Sequence, residues 1–163
     1  MLKKDLITKF EEVSLVYRNK TRAKDRPKIS NPAEAYEILM QNWDLDQIGL
    51  LEEFKILLLD RRLRLMSIAS IAKGGMSKVL VDPRVVFSIA LKRSAHQIIL
   101  AHNHPSQSLI PSTEDIKLTE RFSEIGELLD IQIADHLIIT EHGFHSIASD
   151  CTVKIECEEE PSL

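Results

Sequence analysis

The sequence lacks any apolar run of the length that crosses a membrane, about 18 residues or more. Its first residues, MLKKDLITKFEEV, also lack the apolar stretch of a secretory signal peptide. We therefore expect a cytoplasmic protein that does not enter a membrane. Cysteine is scarce as well, with only Cys151 and Cys157 present, and a reducing compartment favours free thiols over a disulfide that would close so small a loop.

The two ends of the chain are unbalanced in charge, in opposite senses. Residues 1–28 contain nine Lys or Arg and four Asp or Glu, whereas the closing stretch IECEEEPSL contains neither Lys nor Arg. A basic arm can contact nucleic-acid phosphates or an acidic partner, but such a segment is more often a solvated, partly disordered tail. The stretch RPKISNP separates this arm from the rest of the chain. We predict a basic arm at 1–28, one domain at 29–150 and an acidic tail at 151–163.

Helices and strands alternate along the body of the chain. Asn31-Pro32 and Asp82-Pro83 each place a capping side chain before a proline, which predicts two helix starts, and a third helix is expected from Thr113 towards residue 130. The short apolar runs FKILLLD and HQIILAH predict buried strands, and RLMSIASIAKG follows the first closely enough to form a hairpin with it. This order predicts the α/β class, with a mixed central sheet between helices on both faces. The apolar stripe predicted for the second helix consists of Val85, Val86, Ile89 and Ala90.

Two histidines follow one of the predicted buried strands. His102 and His104 are spaced so that both rings project to the same side if the strand stays extended, and Asp115 follows in the first turn of the third helix. Two His and one carboxylate are a known ligand set for a zinc ion with an open fourth position. Each part also has an ordinary explanation, because Ser112 and Asp115 form a helix-capping pattern and a His-x-His pair alone is more often a surface loop.

The combination His102-Asn103-His104-Pro105, Ser112 and Asp115 resembles the signature of the JAB/MPN (JAMM) metalloproteases. The segments IILAHNHPSQ and ADHLIIT are similar to those of the RadC-like branch of that family. The resemblance implies a three-layer αβα, cytidine-deaminase-like (JAB/MPN) fold with one zinc ion per chain, held by the two histidines and the aspartate. The Cys-x-x-Cys pair that deaminases use is absent from the sequence.

The resemblance also implies two catalytic side chains and a reaction. The family uses a Glu two residues before the phenylalanine of the first buried strand, which maps to Glu52, although Glu53 is adjacent and only one of the two can face the metal. Glu52 would act as general base and acid, and Ser112 would donate a hydrogen bond to the oxyanion. The implied reaction is hydrolysis of peptide or isopeptide bonds in a polypeptide substrate.

The chain departs from the RadC-like pattern at two places. Gln107 stands where such loops often carry Gly, so we expect this loop to follow another path. Residues 1–28 contain no Gly, so the glycine-based helix-hairpin-helix DNA-binding segments of longer RadC-like proteins are not expected there. The alternative function is a zinc-containing, non-catalytic module that works with DNA-processing partners. Surface or supporting roles, rather than a second metal site, are expected for His96, His136, His142 and His145.

Overall fold

The structure, a computed structural model, describes residues 21–74 and 80–155. Within these ranges the chain forms three α-helices and six β-strands, preceded by a short 3-10 turn at Ala23–Asp25. The helices are α1 (Pro32–Met40), α2 (Pro83–Lys92) and α3 (Thr113–Leu128). The strands are β1 (Glu53–Leu59), β2 (Leu65–Lys73), β3 (Gln97–Asn103), β4 (Gln132–Thr140), β5 (Gly143–Ser146) and β6 (Cys151–Lys154). No helix in the described ranges is long and apolar enough to cross a membrane.

All six strands belong to one sheet in the order β2-β1-β3-β4-β5-β6. β3 and β4 are parallel, and every other neighbouring pair is antiparallel, so the sheet is mixed as predicted. The parallel pair requires a crossover connection, which α3 supplies. Because α3 begins beyond the carboxyl end of β3, its first turn lies at the edge of the sheet where β3 ends.

The sheet separates two hydrophobic cores. β1 is buried along its whole length, and its residues alternate between the two faces. Leu57 and Leu59 pack with α1, whereas Ile56 and Leu58 pack with α2 and α3. Helices therefore cover both faces of the sheet, and the predicted three-layer α/β architecture of the JAB/MPN type is confirmed.

All three helix starts are confirmed. The Asn31 side chain accepts a hydrogen bond from the Glu34 amide at 2.9 Å, and the Asp82 side chain accepts one from the Arg84 amide at 2.9 Å. The stripe predicted for α2 is wrong at one position, since Val85 is 45% exposed and Phe87 is buried instead. Phe87 stacks on Phe122 of α3 with ring centroids 5.7 Å apart, a contact that helix periodicity alone does not reveal.

The ends of the domain differ from the predicted boundaries. Residues 151–154, predicted to belong to the acidic tail, form β6 and extend the sheet by pairing with β5. All four are exposed, so no apolar alternation in the sequence indicated a strand there. At the other end, the Leu65 amide donates to the Pro27 carbonyl at 2.8 Å, which attaches the end of the arm to the first residue of β2. Cys151 is exposed, while Cys157 and residues 1–20 lie outside the described ranges.

Candidate metal centre

β3 and α3 bring together the three side chains that the sequence analysis singled out as metal ligands. The Nε2 atoms of His102 and His104 lie 2.9 Å apart. Asp115 completes a triangle, with Oδ1 3.2 Å from the Nε2 of His102 and Oδ2 3.5 Å from the Nε2 of His104. A tetrahedron with ligands about 2.0–2.1 Å from a zinc ion has edges of about 3.3–3.4 Å. The separations are measured to two different oxygens of Asp115, but all of them lie near that edge length, so the group could bind a metal ion of this size.

Hydrogen bonds fix which nitrogen of His102 carries the proton. The Thr119 hydroxyl donates to the Asp115 carbonyl at 2.7 Å, so it can only accept from the Nδ1 of His136, 2.6 Å away. The Nε2 of His136 is then an acceptor, and the protonated Nδ1 of His102 donates a hydrogen bond to it at 2.9 Å. This chain of bonds leaves the Nε2 of His102 with its lone pair directed at the triangle.

His104 is oriented in the same sense. Its Nδ1 lies 2.8 Å from the Ser108 carbonyl, which can only accept, so this nitrogen carries the proton and Nε2 has the lone pair. Two lone pairs at 2.9 Å repel each other unless a cation or a proton lies between them. With a carboxylate as the third member, the donor set fits a divalent cation bound through two neutral imidazoles.

Several pKa values in this cluster depart from their ordinary range. Burial raises the pKa of the Asp115 carboxyl, but its hydrogen bonds with His102 and His104 outweigh burial and hold the pKa far below the ordinary value. Burial lowers the pKa of the His104 ring, but its hydrogen bonds with Asp115 and the Ser108 carbonyl outweigh burial and raise the pKa. A proton therefore competes with a cation for His104.

The pKa of His136 moves in the opposite direction. Burial, followed by the charge of His102, lowers the pKa of this fully buried ring well below its ordinary value. His136 is therefore neutral near pH 7, as the bond from His102 requires. The sequence analysis expected a surface or supporting role for His136 but did not predict its bond to His102. The sequence feature that could have indicated a buried polar contact is the pair Asp135-His136 within the otherwise apolar strand β4.

Ser112 both caps α3 and holds Asp115. The Asp115 amide donates to the Ser112 hydroxyl at 3.1 Å, which is the predicted cap. The hydroxyl and the amide of Ser112 each donate to Oδ2 of Asp115 at 2.7 Å. Oδ2 is thus held by the helix terminus, while Oδ1 remains directed towards His102. The capping pattern and the candidate ligand are two parts of one arrangement.

A cleft of about 540 Å³ opens beside the three ligands. Glu52 lines this cleft together with Phe54, Ser112 and the ligands themselves. The charge of Glu52 also acts to raise the pKa of His104, although burial, which lowers that pKa, and the hydrogen bonds with Asp115 and the Ser108 carbonyl have larger effects. The geometry therefore brings Glu52 to the candidate site.

Glu53 is turned away from the cleft, to the face of the sheet that α1 covers. Its carboxylate is buried 3.2 Å from the Nζ of Lys55 and accepts a hydrogen bond from the Ser70 hydroxyl at 3.0 Å. The ammonium of Lys55 also donates to the Asn42 carbonyl at 2.8 Å. Glu53 thus belongs to a structural ion pair, which the sequence could not distinguish from a solvated strand entry.

The loop after His104 contains one residue in the left-handed conformation that usually favours glycine. Gln107 has φ 61°, in the left-handed region, and its amide donates to the His104 carbonyl at 2.9 Å. Gln107 therefore adopts the conformation that a glycine at this position would allow, and a different loop path stays a prediction. The turn closed by this hydrogen bond, with the bond from His104 to Ser108, holds a residue type that rarely adopts positive φ.

Comparisons with known proteins agree with this geometry. The model of the RadC-like JAB domain family matches residues 29–152. A UPF0758 protein of Finegoldia magna is 41% identical over 123 residues, which is 74% of this chain and 53% of that protein. A UPF0758 protein of Staphylococcus epidermidis is 37% identical over 130 residues, 79% of this chain and 56% of that protein. The chain spans about half the length of these relatives, whose names state no activity. It belongs to the RadC-like JAB domain family.

Proposed function

We propose that the protein is a zinc-dependent hydrolase of peptide or isopeptide bonds. The observation that carries the proposal is the convergence of two imidazole lone pairs and one carboxylate oxygen beside an open cleft. The chain would hold zinc through the Nε2 atoms of His102 and His104 and Oδ1 of Asp115. A bound zinc ion with an open fourth position would lower the pKa of a water molecule and supply a nucleophile near neutral pH.

Glu52 and Ser112 would supply the remaining chemistry of this reaction, and both line the cleft beside the candidate ligands. The carboxylate of Glu52, in the cleft beside His104, would accept the proton of the attacking water and pass it to the leaving amine. The Ser112 hydroxyl lies at the same cleft and would donate to the oxyanion, which requires it to exchange its bond with Oδ2 of Asp115. The Ser112 amide can keep its own bond to that oxygen during the exchange.

The substrate proposed for this cleft is a polypeptide. The cleft is open to solvent, and its rim includes Leu80, which is 94% exposed, and the charged side chain of Arg121. A rim with both apolar and charged groups suits an extended chain of mixed side chains better than a small polar metabolite.

Two adjacent glutamates provide a matched test of the proposal. Zinc-loaded wild type is incubated with a quenched-fluorescence library of linear peptides and of peptides branched through a lysine amide. We expect cleavage that Glu52→Gln lowers at least about a hundredfold, as for loss of a general base, with zinc content unchanged. Glu53→Gln should retain the wild-type rate per folded molecule. Equal activity in Glu52→Gln and wild type would remove Glu52 from the mechanism.

A second candidate, a zinc-containing module that contacts nucleic acid, is favoured by the charges around the β1–β2 turn. The isolated bridge between Lys28 and Arg64 brings the end of the basic arm against the turn that carries Arg61 and Arg62. Lys28, Arg61 and Arg62 are exposed, so their charges are available to phosphate groups.

Binding to a fluorescein-labelled DNA duplex tests this candidate. We expect affinity that falls steeply with salt and falls again when Arg61 and Arg62 are both changed to Glu. Lys92→Glu combined with Lys117→Glu is the control for the same change in net charge, since both lysines are exposed on helices outside the turn. Equal losses in the two variants would show that no particular surface binds DNA.

A further inference from the structure

Asn103 stands between the two histidine ligands and is fully buried. Successive side chains of a strand point to opposite faces, so the side chain of Asn103 points away from the rings of His102 and His104. It reaches the segment between α1 and β1, which has no regular secondary structure and which carries Glu52 into the cleft. Neither the ligand set nor the proposed mechanism uses this buried amide.

The side chain of Asn103 makes three hydrogen bonds, all to backbone atoms of this segment. Its Nδ2 donates to the Ile48 carbonyl at 2.6 Å and to the Leu51 carbonyl at 2.8 Å. Its Oδ1 accepts from the Glu53 amide at 2.7 Å. The last two partners are the carbonyl directly before Glu52 and the amide directly after it. One side chain thus holds the backbone on both sides of Glu52.

A fourth bond completes the support of Glu52. The Gly74 amide, just beyond the end of β2, donates to the Glu52 carbonyl at 2.9 Å. Regular pairing of β1 with β3 begins only at Phe54, opposite His102. Before that point, the side chain of Asn103 replaces the backbone ladder as the link between β3 and the entering chain.

Only an amide side chain of this length meets all three partners. Aspartate of the same shape has no N–H donors for the two carbonyls, and leucine offers neither donors nor an acceptor. A buried carbonyl or amide left without a partner costs about 1–3 kcal/mol. The segment would therefore relax away from β3 if Asn103 were removed, and Glu52 would move with it.

We propose that Asn103 is a positioning residue that sets the carboxylate of Glu52 relative to the metal ligands on the same strand. The inference rests on the proposed function, because the hydrogen bonds of Asn103 serve catalysis only if Glu52 is the general base. The three residues His102, Asn103 and His104 then place the whole reaction centre from one strand end, with the ligands on one face and the amide that holds the base on the other.

Amide hydrogen exchange of the zinc-loaded chain tests the structural half of the proposal. Asn103→Ala leaves room for a water, and Asn103→Ser is the second variant if the first does not fold. We expect the Glu53 amide to exchange at least about tenfold faster, with Ile56 in the middle of β1 unchanged and about one zinc per chain. Tyr36→Phe is the matched control, because it also removes a side-chain hydrogen bond to a buried carbonyl, that of Thr140 at 2.9 Å. Tyr36 lies in the core that packs with α1, and its loss should leave exchange of the Glu53 amide unchanged. Unchanged exchange at Glu53 in both Asn103 variants would overturn the proposal.

Kinetics on the cleaved library peptide test the positioning half. A displacement of about 1 Å can lower a rate about a hundredfold, so Asn103→Ala should lower kcat about ten- to a hundredfold with KM nearly unchanged. In a chain that already carries Glu52→Gln, Asn103→Ala should lower kcat almost no further, because both substitutions act through the carboxylate of Glu52. If the double variant instead showed the product of the two single-variant losses in kcat, Asn103 would contribute to stability alone, and the positioning role would be contradicted. Absence of cleavage by zinc-loaded wild type would instead overturn the proposed function, and with it the purpose assigned here, while leaving the exchange result intact.

Discussion

At the scale of single residues, the candidate site depends on groups that do not touch the metal. His136 accepts a hydrogen bond from the Nδ1–H of His102 and donates one from its own Nδ1–H to the Thr119 hydroxyl, so it fixes the tautomer in which the Nε2 of His102 has its lone pair free. The buried ring can do this because burial, with the charge of His102, lowers its pKa and keeps it neutral.

His136→Ala should lower zinc affinity about ten- to a hundredfold, the usual effect of removing the group that orients a histidine ligand. His145→Ala is the matched control, since His145 is also a buried histidine held by side chains, those of Thr152 and Asp150, but lies on β5. Competition with a chromophoric chelator measures both affinities. Equal zinc affinity in His136→Ala and wild type would show that the bond to His102 does not orient the ligand.

At the scale of elements, the first turn of α3 combines a helix cap with a candidate metal ligand. Ser112 accepts from the Asp115 amide and donates to the Asp115 carboxylate, so the same pair starts the helix and orients Oδ1. The structure shows the capping role of Ser112 together with its bond to a candidate ligand, whereas donation to an oxyanion stays a prediction.

Ser112→Ala should lower the free energy of unfolding by about 1 kcal/mol, the usual cost of a lost N-cap. Asn31→Ala removes the corresponding cap of α1, which accepts from the Glu34 amide at 2.9 Å, and should cost a similar amount. Only Ser112→Ala should also reduce cleavage per folded molecule. Denaturant unfolding followed by the peptide assay separates the two effects. A rate in Ser112→Ala equal to that of Asn31→Ala would leave Ser112 with its capping role alone.

The elements themselves could largely be predicted because their signals are local. Asn31-Pro32 and Asp82-Pro83 mark helix starts by their own chemistry, and β1 is nearly all apolar because both of its faces are covered. β6 could not be predicted, since its four residues are exposed and its only signal is the partner strand β5. Strand pairing between exposed residues is a tertiary property and leaves no pattern in the sequence.

At the scale of the whole molecule, the parallel step from β3 to β4 sets the position of the site. It brings the end of β3 and the start of α3 to one edge of the sheet, where His102, His104 and Asp115 meet. The resemblance of the motif to its family gave the ligand set in advance. The resemblance pointed to Glu52 over Glu53, but neither spacing nor resemblance gave the buried partners of Glu53 or the bonds of Asn103, because the fold brings these groups together from segments far apart in sequence. The left-handed conformation of Gln107 was not predicted either.

The metal content of the purified protein tests the central claim most directly. Elemental analysis should find about one zinc per chain in the wild type, because three protein ligands suffice to retain the ion. The content should fall close to zero in His102→Ala and in Asp115→Ala, and stay near one in His145→Ala. Full zinc retention in both ligand variants, or a wild type that binds no divalent metal when zinc is supplied, would contradict the account.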